Sequence, residues 1–185
     1  MDYIVATSVL LLCWPLLLYI AIRIRLQGSG DVFYRQERLG KDGIPFRIIK
    51  FRTMITDAET DLPLLAICDD RRVTPFGRTL RKHHLDELPQ FWNVLRGDMS
   101  VVGPRPERAY FAKQILEKTP EYKRLYQLRP GVTSLGMVKF GYANTTEKMI
   151  ERSRYDLYYL EHYSLWLDIK ILLATVKEVW LGKGI

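Results

Sequence analysis

Residues 84–100 read His-Leu-Asp-Glu-Leu-Pro-Gln-Phe-Trp-Asn-Val-Leu-Arg-Gly-Asp-Met-Ser and bring acidic and apolar side chains together in one short stretch. The apolar residues recur at helical spacing, which predicts a short amphipathic helix that begins at the acidic pair Asp86 and Glu87. Gly97 is expected to end this helix, because glycine readily adopts the left-handed conformation that follows a helix. Arg81 lies just before the stretch, so acidic and basic groups are concentrated here.

The acidic pair has two interpretations. Aspartate is a favoured N-cap and acidic residues suit the positive end of a helix, so local helix physics accounts for Asp86 and Glu87 without any chemistry. Alternatively, one carboxylate is a nucleophile or metal ligand and its neighbour is a base or a second ligand. The stretch by itself leaves both interpretations open.

Length and charge narrow the class of protein. A chain of 185 residues is long enough for one domain with a real core. Its 28 Lys and Arg outnumber 21 Asp and Glu, and the net charge of +7 predicts anionic partners such as phosphates, nucleic acid or an acidic lipid surface. The two cysteines lack metal-ligand spacing, which favours a reduced, cytosol-facing location.

The N-terminal segment is predicted to be a membrane anchor. Residues 4–22 carry no charge, and at about 1.5 Å per residue a helix of this length is close to 30 Å long, enough for one bilayer crossing. Pro15 near the middle favours a kink, which leaves two shapes: a kinked span, or a helix that turns and leaves on the side it entered. Hydropathy alone favours the span. Arg23 and Arg25 place the rest of the chain on the cytoplasmic side.

A β-hairpin is predicted after the anchor. Residues 32–40 and 44–52 flank an Asp-Gly turn at 41–43. Strand alternation puts Lys50 and Arg52 on one face, where they either form a basic functional surface or a plain solvated one.

Two arginines adjoin prolines in turn-rich segments. Arg105 lies between two prolines, so its backbone is confined, and a guanidinium on a stiff backbone suits bidentate phosphate binding. Arg129 also precedes a proline. The alternative for Arg105 is a plain proline-rich turn with a surface arginine.

The remaining segments are a loop and several helices. Residues 53–76 are polar and irregular and are predicted to form a loop, whereas residues 107–118 and 121–128 each predict a helix. The pattern is helical again from Thr146 onward. The apolar stripe over 166–180, with lysines elsewhere on that helix, either lies in the membrane interface or faces the core.

Together these motifs resemble the monotopic phosphoglycosyl transferases, bacterial sugar transferases that initiate glycoconjugate synthesis on undecaprenyl phosphate. The resemblance runs over essentially the whole chain, and the order of the motifs makes it specific. The motifs are the Pro-interrupted anchor and residues 32–36, 50–54, 85–90, 93–100, 103–106 and 129–131. One departure lies at residues 133–139, where many members continue with Thr-Gly and then a Gln and an Asn.

The resemblance implies an α+β, mostly helical fold with a small β-hairpin and amphipathic interfacial helices. Residues 1–26 would form a re-entrant membrane helix broken near Pro15, which reverses the preference for a span. Residues 27–185 would form the catalytic domain on the cytoplasmic face of the inner membrane. The chain would be the minimal form of the family or a catalytic fragment, and its long C-terminal helix leaves room for a homodimer.

The resemblance also implies a reaction. A sugar 1-phosphate moves from a UDP-sugar to undecaprenyl phosphate, releasing UMP, with Mg²⁺ present. By position, Asp86 is the nucleophile that forms a covalent intermediate, Glu87 is a metal ligand or assists proton transfer, and both carboxylates are candidate metal ligands. The cations expected to bind the phosphates are Lys50, Arg52, Arg81, Arg105 and Arg129.

A membrane-tethered nucleic-acid-binding protein and a non-catalytic scaffold are the alternatives. The basic residues are spread through Pro- and Gly-bearing motifs rather than along one helix face, so we expect no nucleic acid as partner.

Overall fold

The computed structural model describes residues 1–56 and 70–182, and in these ranges the fold is mostly helical with two small sheets. The helices are α1 Asp2–Arg25, α2 Pro75–Lys82, α3 Gln90–Arg96, α4 Ala109–Lys118, α5 Leu135–Phe140, α6 Thr146–His162 and α7 Leu165–Leu181. The strands are β1 Phe33–Leu39, β2 Pro45–Phe51, β3 Ser100–Val102 and β4 Gly131–Thr133, and 3₁₀ turns span Lys41–Gly43, Leu85–Glu87 and Pro120–Gln127. The predicted α+β, mostly helical class is confirmed.

The predicted hairpin is present. Strands β1 and β2 pair antiparallel, with Tyr34 opposite Lys50. Asp42 and Gly43 occupy the turn with φ of 58° and 74°, the left-handed region that an Asp-Gly sequence tolerates better than most. The turn fixes the register, and the register decides which side chains of β2 face the neighbouring 3₁₀ turn.

The helix predicted from the acidic pair begins later than expected. His84 has a left-handed φ of 52°, so the chain turns sharply there and residues Leu85–Glu87 form a 3₁₀ turn instead of the first turn of α3. The first residue of α3 is Gln90, and no side chain caps the helix. Asp86 is therefore not the N-cap of α3, and helix capping does not account for its position. Gly97 ends α3 with φ 83°, as predicted.

Other segments differ in detail from the expectation. The helix predicted from residue 107 starts at Ala109, because the carbonyl of Glu107 accepts a hydrogen bond from the Leu39 N–H of β1 (3.0 Å) and is held in a loop. The segment 121–128 is 3₁₀ rather than α-helical. The helix predicted from Thr146 is present and is interrupted before α7. Most of the loop predicted at 53–76, residues 57–69, lies outside the described residues, as do residues 183–185.

A short parallel pair joins two turns that are distant in sequence. Strand β3 pairs with β4, and the two glycines Gly103 and Gly131 meet there with no room for side chains: a Cβ on Gly131 would lie 2.2 Å from the Gly103 nitrogen. The proline-flanked Arg105 therefore lies two residues after a point where two backbone segments are tightly packed.

Helix α1 is apolar and mostly exposed. It is long and apolar enough to cross a membrane, and only 11% of its most apolar window is buried inside the protein. Side chains in its middle, such as Leu12 and Trp14, are exposed. The helix continues past Pro15, so the expected break is not seen as an interruption of the helix.

Both ends of α1 nevertheless contact the rest of the chain. Near its start, the Asp2 carboxylate accepts a hydrogen bond from the Val101 N–H (3.3 Å), and Ala6 is fully buried in the core that contains Val101. Near its end, Ile20 and Ile24 pack with other buried side chains in a second core. The two ends of α1 are thus fixed to one body.

Enlarging Ala6 tests the packing of the helix start. We expect Ala6→Leu to lower the free energy of unfolding by about 1–3 kcal/mol, because the added atoms have no space in a filled core. Urea unfolding in detergent micelles would measure this change. The matched control is Thr7→Leu, which adds an apolar side chain at the exposed neighbouring position and should change little. If both substitutions lowered the free energy of unfolding equally, the result would contradict the packing of Ala6 in a filled core.

Candidate active site

A cleft of about 820 Å³ opens between the hairpin, the 3₁₀ turn Leu85–Glu87, α2 and the loop before α4. It brings together side chains that are far apart in sequence. The predicted site residues that line it are Lys50, Arg52, Arg81, Asp86, Glu87 and Arg105. Arg129 is exposed and does not line this cleft, so its role in phosphate binding stays a prediction.

Glu87 is held by two cations. One of its oxygens, Oε1, accepts hydrogen bonds from Lys50 Nζ at 2.6 Å and Arg105 Nη2 at 3.3 Å. Burial by itself raises the pKa of Glu87, but the charges of Lys50 and Arg105 outweigh burial and hold the pKa below its usual range. Glu87 is therefore a fixed anion that binds these two cations in place. The basic face of β2 is more than a solvated surface, since Lys50 is largely buried against Glu87.

Asp86 is buried and less constrained. The residue is 7% exposed, and the ion pairs that Lys50 and Arg105 form here go to Glu87. Burial raises the pKa of Asp86, the charge of Lys50 opposes this rise, and the neighbouring Glu87 adds to it. A poorly solvated carboxylate with a raised pKa is a better nucleophile or base than one in water. Of the two acids, Asp86 is the one whose surroundings favour reaction.

The other predicted cations are placed at the cleft with partners of their own. Arg81 donates from Nε to Thr53 Oγ1 at 2.9 Å, which fixes its guanidinium beside the hairpin. Arg52 donates to the Ser29 carbonyl at 2.9 Å and so contacts the linker after α1. Arg81 is close enough to the pair for its charge to act on Asp86, whereas the contact of Arg52 is with the linker.

Sequence reasoning missed a buried polar cluster behind Arg105. Arg152 and Glu107 form an ion pair in which both side chains are buried. Asp156 is 3% exposed and accepts backbone hydrogen bonds from Gly136 (2.7 Å) and Arg105 (3.3 Å). Burial raises the pKa of Asp156 to about 6.

One signal in the sequence could have revealed this cluster. Arg152 and Asp156 are four residues apart on α6, and so share a helix face with the apolar positions Met149 and Tyr159 that turn out to be buried. Charged residues on a core-facing stripe are uncommon unless they are paired, which would have marked them as members of an internal network.

The carboxylate pair is a limited but suitable set of ligands for Mg²⁺. No group of three or more His, Cys, Asp or Glu within residues 1–56 and 70–182 could hold a metal ion. Magnesium commonly binds through one or two carboxylates and completes its shell with water and substrate phosphates. Asp86 and Glu87 match that pattern only together with a bound phosphate.

Comparison with known proteins identifies the class. Residues 1–182 match the bacterial sugar transferase family, and the chain belongs to this family. It is accordingly a transferase, and the exposed apolar helix α1 together with this family suggests membrane association.

Three relatives show the range of the similarity. The UDP-N-acetylgalactosamine-undecaprenyl-phosphate N-acetylgalactosaminephosphotransferase of Aeromonas hydrophila is 40% identical over 184 residues, covering 100% of this chain and 44% of the relative. The UDP-glucose:undecaprenyl-phosphate glucose-1-phosphate transferase of Caulobacter vibrioides is 43% identical, covering 97% and 68%. The uncharacterized sugar transferase EpsL of Bacillus subtilis is 37% identical, covering 96% and 85%. The chain spans 40–44% of the length of several of its curated relatives.

The pH dependence of stability tests the burial of Asp156 behind Arg105. Its folded-state pKa of about 6 lies above the ordinary 3.8, so the folded protein holds the proton more tightly. The stability contributed here is therefore full below the ordinary pKa and is lost as pH rises through about 6. Relative to Asp156→Asn, we expect the wild type to lose about 3 kcal/mol of unfolding free energy between roughly pH 3.5 and pH 7. Urea unfolding across this range measures the difference, and parallel curves for the two proteins would contradict it.

Proposed function

We propose that this chain transfers a sugar 1-phosphate from a UDP-sugar to a polyprenyl phosphate such as undecaprenyl phosphate, releasing UMP. This would be the first membrane step in building a bacterial glycoconjugate or exopolysaccharide. The observation that carries the proposal is the buried Asp86, which lies in a cleft lined by Lys50, Arg81 and Arg105. The names of the relatives from Aeromonas hydrophila and Caulobacter vibrioides support the same class of substrates.

The proposed reaction has two displacements at one phosphorus. A carboxylate oxygen of Asp86 attacks the phosphate that bears the sugar, the bond from that phosphorus to the bridging oxygen breaks, and UMP leaves with the electron pair. An oxygen of the polyprenyl phosphate then attacks the same phosphorus and releases the Asp86 carboxylate, giving a polyprenyl diphosphate sugar. Because UMP leaves before the lipid reacts, two bulky substrates use one site in turn, which leads to ping-pong kinetics.

Charge is the main obstacle to the first displacement. An anionic carboxylate approaches an anionic diphosphate, so positive groups must neutralise the phosphate oxygens. Arg81, Arg105 and Lys50 line the cleft and would supply this charge. Glu87 binds both Lys50 and Arg105. With Asp86 and a substrate phosphate, Glu87 would also hold Mg²⁺. The metal would add Lewis-acid stabilisation of the phosphate charge.

We further propose that the site lies at the cytoplasmic surface of the inner membrane. Both ends of α1 contact the catalytic body, which disfavours a straight span and supports a re-entrant anchor over residues 1–26, bent at Pro15 within one continuous helix instead of broken there. The exposed apolar side chains Trp166, Leu173 and Trp180 of α7 support an interfacial position for that helix. The headgroup phosphate of the lipid substrate would then lie at the level of the cleft.

The nucleic-acid-binding alternative is not favoured. Its electrostatic footprint would be a basic stripe on an open surface, whereas Lys50, Arg81 and Arg105 converge on one cleft beside two carboxylates. The similarity to sugar transferases extends over residues 1–182, which also disfavours a non-catalytic scaffold.

Removing the nucleophile tests the proposed reaction. We expect Asp86→Asn to lower UMP release by about 10³-fold or more, because an amide oxygen cannot form the acyl phosphate intermediate. The assay combines the purified protein, undecaprenyl phosphate and Mg²⁺ with a panel of UDP-sugars. The matched control is Asp42→Asn in the exposed hairpin turn, where asparagine tolerates the left-handed backbone, and it should retain activity. Full turnover by Asp86→Asn would refute the nucleophile.

A further inference from the structure

The loop that carries Arg105 is fixed along its whole length. The Gly103 N–H donates to the Thr133 carbonyl at 3.1 Å, and the Pro104 carbonyl accepts from the Gly131 N–H at 2.9 Å. The next backbone N–H, that of Arg105, donates to Asp156. A loop with its polar groups occupied in this way holds a side chain in one place.

The far end of the same loop is attached to the hairpin by Arg38 of β1. Arg38 Nη1 donates to the Pro106 carbonyl at 3.1 Å and lies 3.7 Å from Glu107 Oε2. The neighbouring Leu39 N–H donates to the Glu107 carbonyl at 3.0 Å. Arg38 therefore contacts both residues that follow Arg105.

Arg38 is itself oriented along β1 by a row of polar side chains on one face of the strand. Arg38 Nη2 donates to Gln36 Oε1 at 2.5 Å, and Gln36 Nε2 donates to the Tyr34 hydroxyl at 2.7 Å. Tyr34 lies opposite Lys50 in the hairpin register. The row thus runs from the strand position facing Lys50 to the loop that carries Arg105.

We propose that Arg38 is a positioning residue that sets the location of Arg105 relative to Lys50. These are the two cations that meet at one oxygen of Glu87, and they are carried by separate elements, the hairpin and the loop. Arg38 joins those elements beside the cleft through its contacts with Pro106 and Glu107. This inference rests on the proposed function, because the cations matter to catalysis only if a diphosphate binds between them.

The guanidinium of Arg38 does what a lysine ammonium in its place would not. Its planar fork donates to Pro106 and Gln36 at once while its charge faces Glu107. Lysine keeps the charge near Glu107 but offers a point charge without the fixed fork. Arg38→Lys should therefore preserve the buried charge balance while loosening the attachment of the loop.

A double-mutant cycle with Arg105→Ala tests this role. We expect Arg38→Lys to lower kcat/KM for UMP release about tenfold in the wild-type background and less than about twofold in the Arg105→Ala background. An Arg38 that merely supports the fold would give the same loss in both backgrounds. Arg47→Lys makes the same exchange at an exposed position of the same hairpin and should leave kcat/KM unchanged.

Two further measurements make the outcome decisive. If thermal unfolding shows that Arg38→Lys does not fold, Gln36→Leu replaces it in the cycle. This substitution removes the hydrogen bond that orients Arg38 along β1. If the wild-type protein releases no UMP from any UDP-sugar, the proposed reaction fails. The positioning role is then tested alone by measuring the Kd of UDP by calorimetry for the same four proteins of the double-mutant cycle. Equal effects in both backgrounds, in kcat/KM or in Kd, would overturn the inference.

Discussion

The site depends on one carboxylate oxygen that two cations share. Glu87 Oε1 binds Lys50 of the hairpin and Arg105 of the proline-flanked loop, elements that precede and follow the 3₁₀ turn in the sequence. A buried anion without its cations would be strongly unfavourable, so the three elements are held together as a unit. The neighbouring Asp86 then lies beside positive charge, since the charge of Lys50 opposes the rise of its pKa caused by burial.

A second set of contacts connects the proposed membrane anchor to the proposed phosphate-binding cleft. Ile20 and Ile24 of α1 pack in one core with Phe51, the residue that follows Lys50 in β2, and with Leu80, which precedes Arg81 in α2. Anchor and cleft are thus connected through two elements that each carry a cation. Any movement of the anchor relative to the membrane surface would carry these cations with it.

The sequence predicted much of this protein because its signals are local or belong to ordered motifs. The hairpin followed from an Asp-Gly turn between alternating strands, and the apolar anchor followed from hydropathy. The predicted start of α3 was wrong because the left-handed backbone conformation of His84 does not change the hydrophobic pattern of the sequence. The positions of Arg152 and Asp156 on the buried face of α6 could have been read from helical periodicity. The partners of Arg38 and Glu107 could not, because their contact joins residues 69 apart in sequence, which neither periodicity nor spacing encodes.

The most direct test of the account is to trap the phosphosugar on the protein. The wild-type chain would be incubated with Mg²⁺ and an accepted UDP-sugar without any lipid acceptor, and its intact mass and peptides analysed by mass spectrometry. The account predicts one sugar phosphate added per chain, on the peptide that contains Asp86, with a stoichiometric release of UMP. An adduct on another residue, or UMP release that requires the lipid acceptor from the first turnover, would contradict it.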